Sequence, residues 1–461
     1  MNRRGGIAFW SCLSATVLAS RLAHINLLWA DEDYHLSAAI QALHGKLPYR
    51  DFWYDKPPLN LAFYLFFGAR TGVALRIADA IFVGFCCLLA YAFASKLWSR
   101  REGFFAAGAL AFFSIFYLTP AVLPLEPDTL MIAPHLAAVY LAWRRKPLLA
   151  GIAAGIAFQL NVKGAFVLAF AAVFCPGGLP LLALGFLIPT AAAVGWLAAS
   201  GALKDYWVQV WKWGWLYLRG APGGGFLQLL AWFGFHAALI VPAVALWLAR
   251  DKKRSPAPLL SWFALALIFS LIGLRSAPRY FNLLLPPLVI AAAGGVKMMK
   301  PLPAAGLILL LAIPAIRFGP RYFELASWRD AAMDEESRRA AAIVEAAAKP
   351  GDTIFVWGYR PDIVAYTRLP IAGRYLDSQP LTGVPADRHL FDSRPVADAD
   401  WTRENRRELS RAHPDFLVDG LSRYNPTLDI RGFPDLAPWL AQYCQIGQAG
   451  LTTVYAVCGR P

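Results

Sequence analysis

Charge is scarce in this chain. Asp, Glu, Lys and Arg make up only 16% of its 461 residues, against about 25% in an ordinary soluble domain, which excludes a soluble globular protein of this length. Cysteine is sparse as well, and the six present show neither a zinc-ligand spacing nor a CxxC redox pair. There is no HExxH, no nucleophile elbow and no dinucleotide fingerprint, so the chemistries that rest on those motifs are set aside. No small-residue cleavage site follows the first apolar segment, which therefore reads as a retained span and not a cleaved signal. Paired broken helices do not recur in the two halves, which argues against a secondary transporter.

What is abundant is apolar sequence. Hydrophobic residues account for 58% of the chain, and runs of membrane-spanning length recur through its first two thirds. The net charge of +14 does not indicate nucleic acid, because the basic residues form short clusters between apolar runs, the pattern that orients membrane spans. The chain reads as a mainly α, polytopic membrane protein.

Eleven segments are expected: Ile7–Trp29, Val73–Trp98, Gly103–Leu123, Asp128–Trp143, three tighter ones at Leu148–Asn161, Ala165–Cys175 and Leu179–Ala199, then Phe226–Ala249, Pro258–Leu274, Tyr280–Val296 and Leu302–Ile316. Loop charges test the count. The clusters Lys96/Arg100/Arg101, Arg144/Arg145/Lys146, Arg250/Lys252/Lys253/Arg254 and Lys297/Lys300 share a side only if the middle block crosses an odd number of times, a condition its three short segments satisfy. Basic loops mark the cytoplasm. The first loop, Glu126, Asp128 and the C-terminus then face outward, placing the chain in the plasma (inner) membrane.

The first outward loop carries the densest chemistry. Between Asp31 and Lys56 lie five acids (Asp31, Glu32, Asp33, Asp51, Asp55) and three bases (Lys46, Arg50, Lys56). Charges of both signs beside hydrocarbon are costly and suggest a site. Asp33, Asp51 and Arg50 read as solvated loop charges. Ser37–His44 and the stretch from Pro57 to Phe67 read as two interfacial helices flanking a charged cleft. A second outward loop, Lys204–Gly225, holds Trp207, Trp211, Trp213 and Trp215 and ends in a glycine-rich hinge; its aromatics either anchor the bilayer edge or wall a lipid or sugar site. Past Pro320 turn residues and charges become frequent. Residues 1–319 are expected to form the membrane domain and 320–461 a small extracytoplasmic α/β domain, with strands at Thr353–Trp357, Asp415–Val418 and Leu451–Val457 and helices at Asp334–Lys349 and Trp401–Ala412. The Gly358–Asp362 turn reads as structural. Cys444 and Cys458, the only cysteines there, are expected to form a disulfide in an oxidising compartment.

Five motifs in register resemble the GT-C superfamily of integral membrane glycosyltransferases, the branch around glycosyltransferase family 39 that holds protein O-mannosyltransferases and lipid A aminoarabinose transferases. They are Asp31-Glu32, Asp55-Lys56-Pro57-Pro58-Leu59, Glu126-Pro127-Asp128, Asn161-Val162-Lys163-Gly164, and Arg279-Tyr280 with Pro286-Pro287. The resemblance implies inverting transfer of a hexosyl or pentosyl group from a polyprenyl-phosphate sugar to an outer-face acceptor, a hydroxyl or phosphate on lipid A, polysaccharide or protein. Asp31 matches the catalytic base. Lys56 matches the phosphate-side lysine, with Arg275 and Arg279 able to share that role. Glu32, Asp55, Glu126, Asp128, Lys163 and Tyr280 are the candidates for sugar or acceptor binding. A divalent metal (Mg or Mn) is left open, since acids are present but no compact oxygen-ligand motif is readable. The alternative is a transporter or flippase of lipid-linked sugars using the same charges as a pathway.

Overall fold

The computed structural model describes residues 3–219, 225–249, 256–272, 277–299, 302–323 and 328–460. Arg275 and most of the 220–225 hinge lie outside them. Apolar stretches become helices: α1 (Arg3–Leu22), α4 (Val73–Leu97) and α5 (Arg100–Phe113), then Ile132–Trp143, Pro147–Leu160, Gly164–Phe174, Leu179–Ala199, Ala257–Leu271, Leu285–Val296 and Leu302–Phe318. Between α1 and α4 the first outer loop contributes α2 (Glu32–Leu43) and α3 (Pro58–Phe66).

Among the described residues, three helical stretches are long and apolar enough to cross a membrane by themselves: Val73–Leu97, Pro176–Ala199 and Pro278–Val296. The expected Phe226–Ala249 span is broken. Its two halves, Phe226–Phe235 and Ala237–Leu248, meet at an angle of 84°. Pro147–Leu160 and Gly164–Phe174, with 14 and 11 residues, reach only about 21 and 17 Å at 1.5 Å per residue, short of a 30 Å hydrocarbon core. The first expected span also ends early, at Leu22, because the chain beyond it is gathered by a buried arginine described below.

Small residues let two of these helices touch. A Cβ on Gly151 would lie 2.0 Å from the Leu182 carbonyl, and one on Gly185 2.1 Å from that of Leu148. Pro147–Leu160 and Leu179–Ala199 therefore pack backbone to backbone, as small-residue pairs do in membranes. Inside the bundle, Arg21 on α1 pairs with Asp79 on α4 at 3.0 Å with neither side chain exposed, and it also donates to the Ser114 and Val122 carbonyls. An intramembrane charge with that many partners is structural cross-bracing.

The expected aromatic loop is helical instead, with turns at Leu203–Tyr206, Trp207–Lys212 and Trp213–Arg219. Trp207, Trp211 and Trp215, one helical turn apart, are exposed, whereas Trp213 is buried and stacks on Trp401 at 5.7 Å.

The C-terminal part is built on a four-stranded sheet in the order β1-β2-β4-β3: β1 (Ile354–Trp357), β2 (Phe416–Asp419), β3 (Tyr443–Ala449) and β4 (Thr452–Val457). β1 and β2 are parallel and the remaining pairs antiparallel. β1, β2 and β4 lie within about two residues of the expected bounds. The missed strand is β3, whose polar residues leave most of it exposed. Cys444 and Cys458 are joined across the end of the β3–β4 hairpin, with Cα atoms 4.9 Å apart. Helix Arg329–Ala347 packs on β3 and β4.

This sheet domain sits directly on α2. The Ser37 hydroxyl donates to the Pro361 carbonyl at 2.6 Å, and Gln41 bonds both the Leu369 carbonyl (3.1 Å) and the Ile371 amide (2.8 Å). His44 reaches the Arg368 carbonyl and Lys46 that of Ile371. Residues 32–41 are all buried. The amphipathic helix expected to lie on the bilayer is instead clamped between the bundle and the sheet domain.

Candidate active site

Asp31 occupies the N-cap position of α2 with φ 74° and makes no capping hydrogen bond. With ψ at −39° this lies outside the left-handed helical region that aspartate tolerates best, so the conformation is one its surroundings must hold. Its carboxylate is ion-paired to Arg279 and accepts a hydrogen bond from the Tyr359 hydroxyl at 3.3 Å.

The charges of the cleft are matched one to one. Asp31 faces Arg279, Glu32 faces Arg76, Asp55 faces Lys56 at 3.0 Å, and Asp128 faces Lys163 at 2.8 Å. Exposure separates the pairs. Glu32 and Arg76 are sealed at 0% and 1%, while Asp31, Arg279, Lys163 and Lys56 keep 25%, 24%, 24% and 38% of their side-chain surface. The sealed pair is scaffold: Arg76 also donates to the His24 and Leu27 carbonyls and so gathers the turn that delivers Asp31. The open pairs line a cleft.

Tyr280 floors that cleft. Lys163 Nζ stands 3.3 Å from its ring centre, and the Arg279 guanidinium 5.9 Å from the same ring. Each is a cation–π contact. Glu126 caps the Pro127–Leu130 turn, accepting from the Asp128 and Thr129 amides at 3.0 Å each. Burial, and then the charge of Asp128, pushes its carboxyl up to about 8. Burial pulls Lys56 down, but Asp55 and then Asp31 outweigh it and hold its ammonium above the ordinary lysine value. The loop before Lys56 is fixed by Gln209, which accepts from the Tyr54 amide and donates to the Tyr49 carbonyl, both at 2.8 Å.

Two expectations for the first loop change. Arg50 and Asp51 do form an open surface pair. Asp33, by contrast, is 4% exposed and no solvated loop charge; burial, and then the charges of Asp362 and Asp31, holds its carboxyl well above the usual range. The Gly358–Asp362 turn is more than a connector, since it carries Tyr359 to Asp31. Asp377 comes from the same domain; burial pushes it up to about 7 despite the Gln379 amide, with Asp55 adding to the rise.

Arg76, Gln209, Tyr359 and Asp377 were all missed from sequence. Arg76 carried one signal, a lone charge in the first turn of an apolar span. Gln209 and Tyr359 carried none, as their contacts reach across 155 and 328 residues. The site residues do not fit the divalent ion left open from sequence. Among the described residues, no three His, Cys, Asp or Glu side chains gather as a ligand set, and the carboxylates are committed to cations or amides.

An apolar cavity of about 620 Å3 begins two residues beyond Lys56. It runs along α3 (Pro58, Leu61, Leu65) and is walled by Gln159, Pro189 and Trp196 of the close-packed helix pair.

No protein-family model matches this sequence, and no curated protein does. Solved structures do. ArnT from Cupriavidus metallidurans bound to undecaprenyl phosphate aligns over 99% of this chain and 99% of its own, with a TM-score of 0.66 at 14% identity. The apo state of the same protein gives 0.63 at 13%, over 98% of each chain. An apo oligosaccharyltransferase from Archaeoglobus fulgidus gives 0.51 at 13%, over 90% of this chain and 70% of its own. With alignment end to end through both bundle and sheet domain, the chain has the GT-C fold that its five sequence motifs implied.

Proposed function

We propose that this protein is an inverting glycosyltransferase that moves a sugar from a polyprenyl-phosphate donor to an acceptor on the outer face of the membrane. The observation that carries this reading is one half-open cleft in which Asp31 is the carboxylate that keeps a quarter of its surface, beside three part-exposed cations, Lys56, Lys163 and Arg279, with an apolar groove that begins at Pro58, two residues beyond Lys56. A carboxylate that takes an acceptor proton, cations that meet a leaving phosphate, and a slot for a lipid chain are the parts the reaction needs.

The groove takes the first isoprene units, and Lys56 and Arg279 take the phosphate. In the resting pair Arg279 is held by Asp31, so an arriving phosphate competes for it and releases the carboxylate. Asp31 then accepts the proton of the acceptor hydroxyl as its oxygen bonds the anomeric carbon. The bond from that carbon to the phosphate oxygen breaks, and its electron pair stays with the polyprenyl phosphate. One displacement inverts the anomeric centre. Lys163 and Asp128, across Tyr280, are placed for sugar or acceptor hydroxyls, and Asp55 orients Lys56. Glu126 shapes the cleft by capping the turn that carries Asp128. The outward orientation rests on the basic clusters of the opposite loops, with the C-terminal domain beyond residue 320 extracytoplasmic.

Purified protein should release labelled sugar from a polyprenyl-phosphate sugar, and Asp31→Asn should abolish that release while donor still binds. Donor carried across vesicles without cleavage would instead show a flippase.

A further inference from the structure

The outer domain reaches the cleft with one hydroxyl. Tyr359 follows Gly358, whose φ of 116° is closed to ordinary L-residues, and a Cβ there would meet Leu421 at 3.1 Å. The turn is pinned on both sides. The Gly358 amide donates to Ser378 Oγ at 3.0 Å, and Arg360 donates to Ser337 Oγ at 3.0 Å and the Met333 carbonyl at 2.7 Å. The Tyr359 ring then stacks on Tyr34 at 5.9 Å, and Tyr34 on Tyr54 at 5.6 Å. A rigid turn and a three-ring stack therefore aim a phenol at a carboxylate that itself sits on positive-φ backbone. The positive φ of Asp31, on a residue that is not glycine, persists only where surrounding structure over-determines it.

We infer that Tyr359 is a positioning residue for Asp31, making the active site a composite of membrane bundle and outer domain. The inference rests on the transferase reading above. Of the two carboxylate oxygens, Oδ2 is held by Arg279 and Oδ1 by Tyr359. Once the donor phosphate draws Arg279 away, the Tyr359 hydroxyl is the hold that keeps Asp31 aimed at the acceptor. It stays a donor throughout, because burial, and then the neighbouring Asp31 charge, keeps the phenol protonated far above its ordinary range. The other groups whose charges act around this contact are Asp33, Asp377 and Asp55, which act on the phenol, and Lys56, Arg279 and Glu126, which act with Asp31.

The test uses the full chain with a polyprenyl-phosphate sugar donor. Tyr359→Phe keeps the ring stack and removes only the hydroxyl. It should lower kcat by roughly 10-fold to 100-fold, as loss of a hydrogen bond to a charged group does, with donor KM near wild type. Removing a donor from the charged carboxylate favours its protonated form, so the acid limb of the kcat profile should move to higher pH. Fluorotyrosine at position 359, a stronger donor of the same shape, should move it to lower pH. Tyr424→Phe removes another phenol–carboxylate bond in the same domain, to Glu336, and should leave the limb in place. An unmoved limb in both position-359 variants, or an equal shift in Tyr424→Phe, overturns the inference. An inactive wild type overturns the transferase reading instead.

Discussion

Glu32 holds Arg76 with both carboxylate oxygens, at 2.5 and 3.1 Å, in a pair sealed from solvent. One residue earlier, Asp31 faces the open cleft. Neighbouring acids of one motif thus divide into one sealed and one open to the cleft. Truncating one partner of a buried pair leaves the other charge uncompensated, so Glu32→Ala should cost about 3–5 kcal/mol of stability. Thermal unfolding in detergent should show the loss, with turnover per folded molecule largely retained.

Asp31→Asn should show the reverse. Asparagine has the shape of aspartate and can keep the hydrogen bond from Tyr359, so the variant should unfold near the wild-type temperature while turnover falls by roughly 10²–10⁴. Under the proposed reading Lys56→Ala should weaken donor binding as well as rate, because an ammonium that meets the phosphate acts in ground and transition states alike. Isothermal binding of donor beside single-turnover assays separates the two.

Stability should fall as pH rises from about 6.5 to 8.5, the histidine reference value upward. Glu126 and Asp377, pushed up to about 8 and about 7 mainly by burial, keep protons in the folded state that an unfolded carboxyl has already lost at about pH 4. Each contributes stability that is full below its unfolded value and is lost as pH passes its folded one. Below this window His35 and His389, held neutral by burial, pull the other way, since the unfolded chain protonates them. Melting temperatures at pH 6.5 and 8.5 should differ accordingly, and Glu126→Gln with Asp377→Asn should flatten the slope. Equal melting across the window for the wild type would contradict it.

Reduction of Cys444–Cys458 should loosen the β3–β4 hairpin. The chain-entropy relation gives roughly 3 kcal/mol for a loop of about 15 residues. Hydrogen exchange in Cys444→Ser should rise along residues 443–457, with the helical bundle unchanged.

Two of the long apolar elements were legible in the sequence to within a residue. Leu179–Ala199 has the expected bounds, and Val73–Leu97 misses by one residue, because uninterrupted apolarity of that length has one solution in a bilayer. The 84° break before Ala237 was not legible, since hydropathy reports burial and not direction. Asp31, Lys56 and Arg279 stood out in the sequence as charges at the ends of apolar segments, and the structure pairs Asp31 with Arg279 and Lys56 with Asp55. Tyr359 and Gln209 did not stand out, because an uncharged side chain in a turn or an aromatic helix looks the same whether it faces water or another domain. α2 misled for a related reason. Its alternating apolar and polar residues suited a lipid surface equally well, and only the three-dimensional arrangement shows a protein domain covering its polar side.

The covering of α2 has a consequence in time. Ser37, Gln41, His44 and Lys46 find their partners 324 to 330 residues later in the chain. During synthesis the loop that carries α2 emerges early and must wait, its polar side uncovered, until the last third has been made. Contacts of such separation form late. A ribosome that stalls after Leu302–Phe318 leaves the bundle helices made but α2 without its cover, and Asp31 without Tyr359. The Asp31 end of the loop is thereby completed only when the sheet domain arrives.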